Sequence, residues 1–205
     1  MELNASFYRI PKSSVSEGWY RRTPENFRFA VKVSRLVTHV HRLKDCKDSL
    51  EWFFENMAPL KEKASVFLLQ LPPSLVPDRG LLREFTGLLP AGRYVFEFRN
   101  KECYDQPFVD VLREVGIGFC IHDFPGRESP LWVTSDFAYI RFHGYKQRYG
   151  GDYPEDELEK WAEQIGAWVD EGLDVFAYFN NDAEGNAVKN ALFLRNLLKD
   201  MLKNS

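Results

Sequence analysis

Large polar side chains recur where otherwise apolar runs end, and their types are those that bind anions or move protons. Glu2 and Asn4 share a face by the two-residue period of a strand, with Tyr8 further along and Arg9 at its exit. Lys32 ends the run from Phe27 to Ser34, and Gln70 ends Val66-Phe67-Leu68-Leu69. Glu97 and Arg99 lie on one strand face, as do Arg141 and His143. Asp123 follows Ile121 and His122, while Asn180 and Asn181 follow Tyr178 and Phe179. Arginine presents a planar fork matched to carboxylate or phosphate, so Arg9, Lys32, Arg99 and Arg141 are the candidate anion ligands. Glu97, Asp123 and His143 are the candidate proton-transfer groups, because imidazole titrates near neutrality and an adjacent carboxylate can fix its tautomer. Glu2, Asn4, Tyr8, Gln70, Asn180 and Asn181 complete the candidate binding set.

The same residues admit other chemistry. Glu2, Glu97, Asp123 and His143 are oxygen and nitrogen donors suited to a metal-dependent hydrolase, although the surrounding Arg and Lys oppose a cation and no compact ligand motif is present. A satisfied network of buried ion pairs, with Glu97 on Arg99 or Asp123 on Arg141 or His143, needs no chemistry at all. The segment Gly144-Tyr145-Lys146-Gln147-Arg148-Tyr149-Gly150-Gly151-Asp152 is a basic, aromatic connector in which Lys146 and Arg148 could hold phosphate, with Tyr145 and Tyr149 as stacking groups.

The elements that must position these residues alternate in type. Short β-branched and aromatic runs are expected as strands at Leu3 to Tyr8, Phe27 to Ser34, Ser65 to Leu71, Tyr94 to Arg99, Gly118 to His122, Phe137 to His143 and Asp174 to Phe179. Between them, Leu50, Phe53, Phe54, Met57 and Leu60 recur at helical spacing behind Asp48 and Ser49 as N-caps. Leu158, Trp161, Ile165, Trp168 and Val169 mark a second helix, preceded by Pro154 and closed by Gly172. Ala187, Ala191, Leu194, Leu198 and Met201 mark the last, with shorter helices around Leu81 to Leu89 and Phe108 to Val115. Such alternation predicts successive βα units with a parallel sheet. Trp19, Trp52, Trp161 and Trp168 are expected to pack helices onto that sheet.

Composition bounds the rest. The chain has 205 residues, 44% of them hydrophobic, enough for one well-buried core, and residues 1–205 are expected to form a single domain. Its 27 basic and 30 acidic residues are interleaved, so no global field recruits nucleic acid or an anionic membrane. The basic stretch Arg35, His39, His41, Arg42 and Lys44 is expected to be a solvated loop. Three cysteines, Cys46, Cys103 and Cys120, form neither a disulfide framework nor a zinc motif, and no apolar run suits a membrane. A cytoplasmic location is the expectation. No glycine-rich phosphate or dinucleotide fingerprint follows a strand, and no cofactor is assigned.

Several ordered blocks resemble the domain-of-unknown-function 72 (YecE-like) family: Glu2-Leu-Asn-Ala-Ser-Phe-Tyr-Arg-Ile-Pro11, Phe29-Ala-Val-Lys32 followed by Thr38-His39, and Leu69-Gln-Leu-Pro-Pro73. The resemblance continues through Phe96-Glu-Phe-Arg99, Tyr139-Ile-Arg-Phe-His-Gly144 and Tyr178-Phe-Asn-Asn181. It implies an α/β fold, a TIM-like (β/α) barrel with polar residues at its mouth. Members begin with a Gly-Thr-Ser-Gly-Trp-like strand and a helix ahead of the segment equivalent to Glu2 to Pro11, and neither is found here. Seven strands of eight are therefore expected, with an open edge that a second copy of the chain or a local rearrangement would cover.

In such a barrel the strand ends converge, so the polar groups would form one mouth. The leading expectation is a protein that binds or acts on a small anionic compound, phosphorylated or carboxylated, at that mouth. A non-catalytic scaffold with a structural polar network, and a metal-dependent hydrolase, are the alternatives.

Overall fold

In the computed structural model, which describes residues 1–201, each strand pairs in parallel with its successor within two units, Met1–Ile117 and the chain from Gly118 onward. In the first unit β1 (Glu2–Leu3), β2 (Phe29–Lys32), β3 (Ala64–Gln70) and β4 (Tyr94–Glu97) pair in chain order. Parallel neighbours require crossovers, which contain α2 (Ser13–Arg22), α3 (Lys47–Met57) and α4 (Arg79–Thr86); α5 (Gln106–Glu114) follows β4. Two of these helices start on side-chain caps: Asp78 accepts from the Leu81 N–H at 2.8 Å and Asp105 from the Phe108 N–H at 3.0 Å.

Register assigns the faces of this sheet. Glu2 lies beside Ala30, Lys32 beside Leu68 and Gln70 beside Glu97, so these polar residues share one face, with Arg99 following by the two-residue period. The opposite face carries Phe67 and Phe96, and it is the face that the helices cover. Phe67 packs edge-on against Phe53 and Phe54 of α3, and Phe96 against Phe85 of α4.

The second unit repeats the arrangement with β5 (Gly118–His122), β6 (Phe137–Phe142) and β7 (Asp174–Phe179). Helix α6 (Glu155–Asp170) connects β6 to β7, and α7 (Asn186–Met201) follows. Acidic residues in the first turn of α6, Glu155, Asp156 and Glu157, complement its dipole, and Gly172 at φ 86° turns the chain after its last turn. Register places His122 beside Arg141 and Arg141 beside Tyr178 on one face. Phe142 points the other way, stacked on Phe179 and edge-on to Trp161 of α6. Strands β2, β4, β5 and β6 are buried along their whole length, as covered parallel strands are, whereas β7 is half-buried.

Several expectations are corrected. The first strand does not run to Tyr8: it ends at Leu3, and Ala5–Tyr8 form a short helix, α1. The Ser6 hydroxyl donates to the Leu3 carbonyl at 3.1 Å and the Lys32 carbonyl at 2.7 Å, offering the chain an alternative to the ladder. Helix α1 turns Tyr8 and Arg9 into solvent instead of along a strand face. The basic stretch is not a loop throughout, because Leu36–Val40 form a π-helical turn anchored by buried Val37, Thr38 and Leu43, but Arg35, His39, His41, Arg42 and Lys44 themselves are exposed or half-exposed. Neither Asp48 nor Ser49 caps α3, whose N-cap is Cys46. Trp52 packs no helix onto the sheet, being half exposed, while Trp168 is buried. Helix α2 was not predicted: Ser16 is its one fully buried residue, which leaves little apolar periodicity to read.

Candidate functional site

The polar strand ends of the first unit converge on a buried ion pair. Glu97, fully buried, pairs with Arg99 at 2.6 Å from two residues further along the same face. Gln70 is beside Glu97 in register. Lys32 is buried with its ammonium 4.0 Å from the centre of the Phe7 ring, whose edge also meets His39. Helix α1 supplies Phe7 to this cluster, so the unpredicted turn positions the lysine. Asn4 donates to Glu2 at 2.9 Å, and its Oδ1 is buried with no hydrogen-bond partner.

In the second unit the face turned away from the helices gathers donors. His122, Arg141 and His143 are all buried there. The register of β6 and β7 continues past their ends, because the Asn180 N–H donates to the Phe142 carbonyl at 2.7 Å. This sets Asn180 beside His143, with its Nδ2 buried and without an acceptor. Phe124 and Tyr149 pack edge-on against the His143 ring. Asn181, one residue on, points away from this group. It donates to the Gly151 carbonyl and to Asn190 of α7, both at 2.9 Å, and Asn190 donates to Asp152 at 2.8 Å. Asn181 therefore clamps the loop after β6 to α7.

Asp123 lies on the side of β5 and β6 that faces α6. Its Oδ1 accepts from the His143 backbone N–H at 2.7 Å, and its Oδ2 accepts a short hydrogen bond from the Tyr153 hydroxyl. Tyr153 in turn accepts from the Gly144 N–H at 2.9 Å. Burial pushes the Asp123 carboxyl up to about 6, against the opposing pull of those hydrogen bonds. Burial, then the neighbouring Asp123 charge, raises the Tyr153 phenol well above its usual range, so it remains a donor. A carboxyl poised near neutrality is the property expected of a general acid or base.

A cavity of about 500 Å³ opens beside Asp123, walled by Tyr145, Tyr153 and Trp161 and carrying Glu128, Glu157 and Lys146. The loop forming its rim depends on Gly144 at φ 116° and Gly151 at φ 75°. A Cβ at Gly144 would overlap the carbonyl oxygens of Gln147 and Gly150. Lys146 sits 4.8 Å from the Tyr145 ring centre, while the Arg148 guanidinium lies over Phe124 at 4.9 Å. The lining carries three carboxylates and one loop ammonium, a poor setting for phosphate.

The structure thus brings together Glu97, Arg99, Gln70 and Lys32 in one unit, and Arg141, His143 and Asn180 in the other. Tyr8 and Arg9 stand apart in solvent. Among the described residues no group of three His, Cys, Asp or Glu is placed to hold a metal ion, so the arrangement lends no support to the hydrolase alternative. His122, Tyr153 and Asn190 were missed. His122 carried a signal, being a polar residue ending an apolar run; Tyr153 lies in a loop and Asn190 on an amphipathic helix, where polar atoms are ordinary.

A family model described as protein of unknown function DUF72 matches residues 1–204. The UPF0759 protein YunF of Bacillus subtilis strain 168 is 28% identical over 235 aligned positions covering 97% of this chain and 82% of its own. The UPF0759 protein YecE of Escherichia coli K12 is 32% identical over 106 residues, 51% of this chain and 39% of its own. A DUF72 family crystal structure from Enterococcus faecalis V583 superposes with a TM-score of 0.87 at 24% identity, over 97% of this chain and 84% of that one. Another, from Thermotoga maritima MSB8, gives a TM-score of 0.81 at 29% identity, over 96% and 82%. These likenesses establish the fold class, α/β of the TIM-like (β/α) barrel type, with seven strands among the described residues. No helix among those residues is long and apolar enough to cross a membrane.

Proposed function

Because the chain belongs to the DUF72 family, which carries a fold and no stated activity, we propose from its own side chains that it binds a small anionic compound, phosphorylated or carboxylated, at the C-terminal strand ends. The observation that carries this reading is the donor-rich end of β6 and β7. Arg141 is 3% exposed there, and the Asn180 amide beside His143 is a buried donor with no acceptor. A buried donor without a partner costs roughly 1–3 kcal/mol, a cost that a bound carboxylate or phosphate oxygen would relieve. The Arg141 fork would hold the charge, and His143 would transfer a proton to or from the bound compound. In the TIM-like fold class, ligands bind at this end of the strands. Lys32 and Arg99 are the corresponding cations of the first unit and Glu97 its proton-transfer candidate, whereas Asp123, in the second unit, faces α6 and is held by the His143 N–H and the Tyr153 hydroxyl, away from this group.

One observation favours the alternative of a non-catalytic scaffold: Glu97 and Arg99 satisfy each other at 2.6 Å, as a structural ion pair does. A thermal-shift screen of phosphorylated and carboxylated metabolites separates the two. A ligand at about 100 times its Kd adds roughly 2.7 kcal/mol of apparent stability, a shift of several degrees. A saturable shift lost in Arg141→Ala supports the anion site. A shift unaltered in Arg141→Ala contradicts the assignment.

A further inference from the structure

The cavity on the helix-facing side of β5 and β6 is a second site, independent of the donor-rich face. We infer that it binds an organic ammonium compound, held by Asp123 and Glu157 between the rings of Tyr145 and Trp161. Its walls carry three carboxylates, Asp123, Glu128 and Glu157, against one lining ammonium, Lys146, and the Lys160 ammonium that pairs with Glu157 at 2.8 Å, so the charge there is 2 − 3 = −1 when all are ionised. Tyr145, Tyr153 and Trp161 supply an aromatic wall beside Pro125, Gly126 and Gly144. Carboxylate charge combined with exposed ring faces is the chemistry that recognises alkylammonium ions, through ion pairing and attraction to the ring quadrupole. Its volume of about 500 Å³ suits a small molecule.

Lys146 shows what the site accommodates. Its own ammonium already lies over the Tyr145 ring at 4.8 Å, in the position a ligand ammonium would take. The residue is otherwise exposed on the loop, so it can swing out when a ligand enters. Lys146 is therefore a competitor for the ligand's place and not a partner to the ligand's charge. An anion or a neutral polyol would reverse or abolish that relation, which makes the lysine the decisive position.

The test is calorimetric titration with choline, its neutral isostere 3,3-dimethylbutan-1-ol, and glucose. Wild-type protein is expected to bind choline saturably and the isostere at least tenfold more weakly. Lys146→Ala is expected to tighten choline binding threefold or more, and Glu157→Gln to weaken it by a similar factor. Both positions are on exposed or half-exposed side chains, and folding of each variant is checked by its melting curve. No saturable choline binding, equal binding of the isostere, preferential binding of glucose, or loss of choline binding in Lys146→Ala would each overturn the inference.

Discussion

At the scale of single residues, Asp123 couples the loop after β6 to the strand ends, because one carboxyl holds both the His143 N–H and the Tyr153 hydroxyl. Its raised titration, at about 6, has a stability consequence of fixed sign. An acid whose folded pKa exceeds its unfolded value near 3.9 contributes stability that is complete below about pH 4 and lost as the pH rises through 6. Compared with Asp123→Asn, the wild-type protein is expected to lose about 2 kcal/mol between pH 4 and pH 7, a figure already discounted for partial exposure. Denaturant melts of both proteins at each pH measure this, and a difference independent of pH would contradict it. Asp123, Glu97 and Arg141 were legible in the sequence because a large polar side chain ending an apolar run is uncommon. That Asp123 and His143 would meet through a backbone N–H was not legible, since it depends on Asp123 pointing toward α6 while the imidazole of His143 points away.

At the scale of elements, the connections carry more of the site than the strands do. The loop from Gly144 to Tyr153 closes on itself through Gly144 and Gly151, both at positive φ and both where a Cβ would overlap backbone carbonyl oxygens. Gly144→Ala is expected to cost at least ~2 kcal/mol, because it combines strain with overlap against two carbonyl oxygens. Its melting temperature reads this directly, and a variant as stable as the parent would show that the loop can reform. Helix α2 depends on Lys63, a buried ammonium that donates to the Tyr20 carbonyl at 2.7 Å and the Thr23 carbonyl at 2.8 Å. Lys63→Met fills the same space and leaves those carbonyls unpaired, for an expected loss of about 2–3 kcal/mol in a chemical melt. An unchanged midpoint would mean that water replaces the ammonium. Strands with dense apolar runs, such as Gly118 to His122 and Asp174 to Phe179, were read to the residue. The first was overextended because nothing in Ala5-Ser-Phe-Tyr8 announces that Ser6 will hydrogen-bond two carbonyls and start a helix.

At the scale of the molecule, the alternation of strands and helices was plain in the sequence, but an open doubly wound sheet alternates in the same way. The resemblance of ordered blocks to the DUF72 family is what implied the barrel, and the superpositions on DUF72 structures establish the TIM-like class. That class explains why the polar residues gather at strand ends. It leaves the ligand to chemistry, and the central claim is that Arg141 and Asn180 form an anion site. The most direct measurement is equilibrium titration of inorganic phosphate and of the best metabolite from the thermal-shift screen against wild-type, Arg141→Ala and Asn180→Leu proteins. Saturable wild-type binding that weakens at least tenfold in both variants is the predicted result; affinity unchanged in both would contradict the account.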